Sequence, residues 1–317
     1  MSLASVVSRP ANWTERLSET QFAYLMLVPV FLLLGVIAIW PLLSTFRLSL
    51  FADNLTGAST VGEFVGLQNY VELLTGQREA ILPRPFIDLS QPFRSALPVT
   101  LIFAVVSVLL ETLLGFAAAL VLDQEFRGRR WFRVALILPW AVPIVIQGMI
   151  FYLMFAPGIG FATDPLSAWG IFGETPLTNS FDSLAIIIIA DVWKTTAFMT
   201  LLILAGLQSI DRSLYEVGRV AGASKWQQFK MITLPLVLPA VLVAMLFRSI
   251  NAMRVFGLIE TVSDCGTVPS LSCMVVSSFS SGRYGTSAAI AFLTAAIIGG
   301  AVMIYIVQFA RGQAEVI

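Results

Sequence analysis

The chain has no histidine and only two cysteines among its 317 residues. Histidine is the side chain that titrates nearest neutral pH and the commonest metal ligand. Its absence weighs against acid–base enzymes, and no metal site is expected. Two thiols leave little for zinc, haem or iron–sulfur ligation. Charge is scarce too: Asp, Glu, Lys and Arg make up 12% of the residues, against roughly 25% in soluble domains. With a formal net charge of zero there is no basic footprint for nucleic acid.

Apolar residues dominate instead. They form 57% of the chain and raise its mean hydropathy to +0.86, so lipid is the expected solvent. A spanning helix needs about 20 mostly apolar residues. Six segments reach that length: 22–43, 96–122, 134–155, 183–207, 236–258 and 284–309. The expected fold is all-α, a multi-pass protein of the cell membrane with six transmembrane helices. The first run is too long for a signal-peptide core, and no small-x-small cleavage site follows it, so it is expected to be retained.

Orientation follows from the placement of Lys and Arg. Arg9, Arg16, Arg127, Arg129, Arg130, Arg133, Arg212, Arg219, Lys225, Lys230 and Arg311 collect in the two tails and in the segments after spans two and four. The opposite loops carry Arg78, Arg84, Arg94 and Arg283, diluted by Glu63, Glu72, Glu79 and Asp88. Both termini are therefore expected to be cytoplasmic. Trp13, Trp40 and Trp131 suit interfacial belts. The expected organisation is a tail over 1–21, a membrane domain over 22–310 with an outer loop at 52–94, a cytoplasmic loop at 211–235, and a tail over 311–317.

In the outer loop, the stretch from Phe64 to Leu74 reads as a turn and a short amphipathic helix, either a docking surface or a packed cap. Asn54-Leu55-Thr56 is a glycosylation sequon. Cys265 and Cys273 both fall in the loop between spans five and six, where an oxidising compartment would permit a disulfide; two free thiols are the alternative.

The segment between spans four and five is the most informative. Ser213-Leu214-Tyr215-Glu216 has the form of a capping box. Gly222 permits a left-handed turn, and a second helix bearing Trp226 and Phe229 is expected to run until Pro235 interrupts it. These features describe a compact two-helix finger; a solvated interfacial linker is the alternative.

This segment resembles the coupling loop, or EAA motif, of ABC-importer permeases: Glu216, Gly222, Ala223, Phe229, Ile232, Leu234 and Pro235 match, while Val217-Gly218 replace two alanines and Ala221 stands where carbohydrate permeases usually carry aspartate. Phe64-Val65-Gly66-Leu67-Gln68-Asn69-Tyr70, Leu138-Pro139 with Pro143, and Ala205-Gly206-Leu207-Gln208 also look like the sugar-permease branch. Within that branch, the chain is most similar to the first permease of the maltose/trehalose-type pair. The resemblance implies a type I ABC-importer architecture and alternating access. It implies as partners a second permease, an ATP-binding cassette ATPase dimer that binds ATP and Mg, and an extracytoplasmic sugar-binding protein. No cofactor is expected in this chain, which lacks a phosphate-binding Gly-x-x-x-x-Gly-Lys-Ser/Thr loop. The resemblance also implies ATPase coupling through Glu216, Gly222, Ala223, Lys225, Trp226 and Phe229, and sugar contacts at Lys194, Thr195, Phe198, Arg248, Asn251, Ala252 and Val255.

Intramembrane charge points to the same helices. Asp191, Lys194, Arg248 and Arg254 lie within apolar segments, where a mid-bilayer charge costs about 2.5 to 3.5 kcal/mol on the insertion scale. Asp191 and Lys194 are three apart and can pair, while Arg248, Asn251 and Val255 would share a helical face. The set is either a sugar site or ion pairs locking two helices together. With Arg248 and Lys194 both cationic, an acidic or phosphorylated sugar fits as well as a neutral one. In span six, Ala291, Ala295 and Gly299 form a small-xxx-small stripe, for contact with a second subunit or within this one. The rival class is an ion-driven secondary transporter, but its paired inverted repeats are not visible in the sequence.

Overall fold

The computed structural model describes residues 17–55 and 61–314. Arg9, Trp13, Arg16 and Thr56 of the sequon lie outside them. The first long helix, α1 (Glu19–Ser49), contains Pro29 and a π turn over Gly35–Ile39. A short antiparallel ribbon follows, β1 (Phe51–Asp53) with β2 (Val61–Phe64), then α2 (Gln68–Leu74). The ribbon is the one departure from an all-α fold among the described residues. The apolar helices α3 (Ala96–Asp123), α7 (Ser180–Gln208), α9 (Lys225–Ala252) and α12 (Tyr284–Ala314) each have the length and composition of a span.

The third expected span is broken. α4 (Arg129–Ala141) and α5 (Ile144–Phe155) meet at 95° around Val142-Pro143. Proline lacks the N–H that would continue the ladder and biases its predecessor away from helical dihedrals, and two prolines here, Pro139 and Pro143, concentrate the bend. Counting the bent pair once gives six spans. Two short helices, α6 (Thr163–Ala168) and α8 (Arg212–Val220), flank α7 in sequence; α10 (Gly257–Val262) and α11 (Leu271–Ser280) connect α9 to α12.

α3, α7 and α9 pack against one another, each touching the other two. Close approach depends on absent side chains. A Cβ at Gly115 would lie 2.8 Å from Met199 Cβ, and one at Gly206 would lie 2.4 Å from Ala240 Cβ. At the finger end the core is Ala119, Leu122, Ile203, Leu207, Val237 and Val241; mid-bundle it is Phe103, Val108, Ile186, Ile187 and Ala190. At the loop end Leu73, Phe86, Leu271 and Ile290 close it. There Arg78 bonds Glu72 at 2.7 Å, Asn69 at 2.5 Å and Thr286, while the Thr286 amide donates to Asp53 at 3.0 Å, tying the loop to the start of α12. Asn69, Tyr70 and Leu73 of α2 turn inward, while Leu67, Val71 and Leu74 stay exposed. Of the small-residue stripe in α12, Ala291 is half-buried, Ala295 is exposed, and a Cβ at Gly299 would meet nothing within 4 Å among the described residues.

Candidate functional site

The finger begins where α7 ends. α8 is capped by Asp211, whose carboxylate accepts from the Ser213 amide at 2.9 Å. The expected capping box led by Ser213 is not formed: aspartate two residues earlier takes the same role, and Glu216 is left exposed on the helix. Gly222 adopts φ +82°. Its N–H donates to Arg219 O at 3.0 Å and that of Ala223 to Gly218 O at 2.9 Å, the paired closure of a Schellman turn. Ser224 then opens the next helix with a capping box, accepting from the Gln227 amide while Gln227 Oε1 accepts from the Ser224 amide at 2.7 Å. Its serine-x-x-glutamine spacing was legible in the sequence.

Pro235 does not end that helix. A π turn over Phe229–Thr233 precedes Leu234 and Pro235, and the helix continues to Ala252 as α9. The wider turn accommodates a residue that has no amide hydrogen to give. Trp226 stacks on Phe229 at 5.4 Å, Phe229 packs edge-on against Phe116 of α3 at 6.0 Å, and Tyr215 bonds Thr233 at 3.0 Å across the finger. Val217, Val220, Trp226 and Met231 remain exposed. The finger is folded against the bundle, with these apolar side chains exposed among Arg212, Glu216, Arg219, Lys225 and Lys230.

The membrane charges assemble differently from the expectation. Arg248 of α9 donates from Nε to Glu111 Oε2 at 2.5 Å, from Nη2 to Glu111 Oε1 at 3.0 Å, and from Nη2 to Asp191. Asp191 thus pairs with Arg248 across helices rather than with Lys194 along its own. Lys194 makes no ion pair within 4 Å among the described residues. Glu111 was missed, although a carboxylate in the middle of a 28-residue apolar helix is the same signal that singled out Asp191.

Two of the expected sugar contacts are buried in this conformation. Arg248 is 5% exposed and Ala252 is 1% exposed, so in this conformation neither presents surface to a ligand. Val255 is also misplaced, because α9 ends at Ala252 and Val255 lies in the turn beyond, off the face of Arg248 and Asn251. Arg254 sits in that turn as well, exposed beside Phe256 and Thr294. Lys194, Thr195 and Phe198 are half-buried on α7, and Asn251 is exposed, donating to Phe247 O at 2.9 Å. Trp193 packs edge-on against Phe151 at 5.9 Å. Cys265 and Cys273 are joined, with Cα atoms 5.6 Å apart.

Comparison with known proteins places this arrangement. Residues 111–312 match the family of binding-protein-dependent transport system inner membrane components. The chain is 36% identical to the trehalose/maltose transport system permease protein MalF of Thermococcus litoralis, over 93% of this chain and 96% of that one. It is 34% identical to the trehalose transport system permease protein SugA of Mycobacterium tuberculosis, covering 76% and 73%. It is 31% identical to the sulfoquinovosyl glycerol transport system permease protein SmoG of Agrobacterium fabrum, covering 95% and 94%. Its fold matches a chain of a bacterial ABC transporter that imports alginate, with a TM-score of 0.70 at 21% identity over 92% of this chain and 95% of that chain. The chain belongs to the inner-membrane permease components of binding-protein-dependent transport systems.

Proposed function

We propose that this chain is the permease subunit of an ATP-driven carbohydrate importer that carries a di- or oligosaccharide such as trehalose or maltose. The observation that carries the reading is the finger: a capped two-helix unit that exposes both apolar and charged side chains joins α7 and α9 directly. These two helices bear Lys194, Thr195, Phe198 and Asn251. A separate ATPase dimer, holding ATP and Mg, takes the finger through Gly222, Ala223, Lys225, Trp226 and Phe229, with Glu216 on its exposed side. Both termini face the cytoplasm with the finger. A second permease completes the pathway, and an extracytoplasmic sugar-binding protein delivers the substrate at the loop end. The identity to trehalose and maltose permeases supports the substrate class.

Closure of the ATPases displaces the finger, which moves α7 and α9 together and opens the site outward; hydrolysis resets it inward. The test is uptake of labelled trehalose and maltose into proteoliposomes holding the full complex and its binding protein. Uptake should require internal ATP. Uptake driven by an imposed ion gradient without ATP would mark a secondary transporter instead.

A further inference from the structure

We propose that Glu111 and Asp191 set the charge selectivity of the membrane site by cancelling the cation that Arg248 would otherwise present, so that the site takes neutral saccharides and rejects anionic ones. The inference rests on the sugar-permease reading above and concerns two residues outside the sugar contacts that reading implies.

Taken from the sequence alone, Lys194 and Arg248 make the site cationic. In the folded chain the guanidinium is enclosed. Glu111 meets its Nε and Nη2 from α3, and Asp191 meets Nη2 from α7. Glu111 is fully buried and Arg248 is 5% exposed. A planar guanidinium presents a fixed fork of donors to carboxylates, and here its Nε–Nη2 edge is engaged. A sugar phosphate or uronate could reach that edge only by displacing a protein carboxylate.

The local sum of formal charge is zero: Glu111 and Asp191 contribute two negative charges, Arg248 and Lys194 two positive ones. Asp191 and Lys194 are three residues apart on α7, and Arg248 and Asn251 are three apart on α9, so the triad sits about 4.5 Å along each helix from the surface residues. Arg254 does not enter the sum, because it lies past the end of α9 in a separate crevice with Ile250, Phe256 and Thr294. What remains on the surface is the half-buried Lys194, the Asn251 amide, Phe198 and Trp193. Hydrogen-bonding groups beside aromatic faces suit neutral hydroxyls and sugar rings.

The test is equilibrium binding of a neutral disaccharide and of the same disaccharide phosphorylated on a primary hydroxyl, measured on the assembled transporter without its binding protein. The unaltered complex should prefer the neutral sugar. Glu111→Gln leaves one uncompensated positive charge and should shift the affinity ratio toward the phosphate by about tenfold per unit of phosphate charge, the interaction of two unit charges at about 12 Å and an effective dielectric of about 20. Adding Lys194→Gln to that variant restores the zero sum and should return the ratio to its starting value. Lys194→Gln alone should shift the ratio the other way, which keeps the proposal testable if Glu111→Gln does not assemble. An unchanged ratio in assembled variants, or equal loss of both sugars, would reduce the triad to a structural clamp and overturn the proposal. Binding of neither sugar by the unaltered complex would overturn the site reading itself.

Discussion

Arg248 of α9 holds Glu111 of α3 through two hydrogen bonds, at 2.5 and 3.0 Å, and Asp191 of α7 approaches the same guanidinium. Three helices that are distant in sequence are thereby joined by one side chain. Removing one member of a buried ion cluster costs about 3–5 kcal/mol because the partners left behind are uncompensated. Arg248→Ala should therefore lower the thermal stability of the solubilised complex by several degrees, and sugar transport should fall with it. A variant as stable as the original would show that the cluster does not hold the helices together.

Gly222 should tolerate no residue that needs negative φ. Gly222→Pro fixes φ near −65° where the chain uses +82° and deletes the N–H that closes onto Arg219, so the finger should lose its turn. The expected result is a complex that reaches the membrane but neither retains the ATPase on purification nor takes up sugar. Glu216→Lys, on the exposed face of α8, should weaken coupling and leave the fold intact. Full ATP-dependent uptake in both variants would remove the finger from the coupling path.

The cap of α8 should respond to acid. The backbone N–H of Ser213, followed by the Ser213 side chain, holds the Asp211 carboxyl below its ordinary value. A carboxyl depressed in the folded state contributes stability above its unfolded pKa and loses it as pH falls through the folded one. Protection factors of the Ser213 and Leu214 amides, corrected for intrinsic exchange, should be high at neutral pH and fall below the ordinary aspartate range. Asp211→Asn, which still offers an oxygen, should remove most of that pH dependence, whereas Asp211→Ala should lower protection at every pH.

Cys265 and Cys273 should yield a linked peptide in a non-reducing digest of the purified chain. The bridge closes a segment with a sequence separation of 8, for which chain entropy gives about 2.5 kcal/mol. Reduction should loosen the connection between α10 and α11 and lower the unfolding temperature. Free thiols under oxidising conditions would show that the bridge does not form.

Much of this structure was legible in the sequence because lipid imposes a length on every span, and the five continuous helices follow from that constraint. The broken span was readable as apolar but not as bent, since hydropathy does not register the angle that Pro139 and Pro143 impose. Gly222 was placed correctly because few other residues adopt its conformation. The caps were harder. Ser213, Asp211 and Ser224 all carry capping chemistry, and only the backbone decides which of them is used. The largest gap was pairing: Asp191 and Lys194 are near in sequence, but a guanidinium from another helix offers better geometry than a neighbour three residues away. Partners across helices depend on packing that no local pattern encodes.

The close approach of Gly206 to Ala240 marks a point about which α9 would turn if it tilted against α7. At 1.5 Å per residue, the helix extends about 22 Å from Ala240 back to Lys225 and about 12 Å forward to Arg248. A tilt about that point makes α9 a lever with its long arm in the finger. A sideways movement at Lys225 reaches Arg248 in the opposite direction and at roughly half the amplitude. Substituting Gly206 would therefore do more than crowd two helices: it would shift the fulcrum and change the gearing between the finger and the ion cluster.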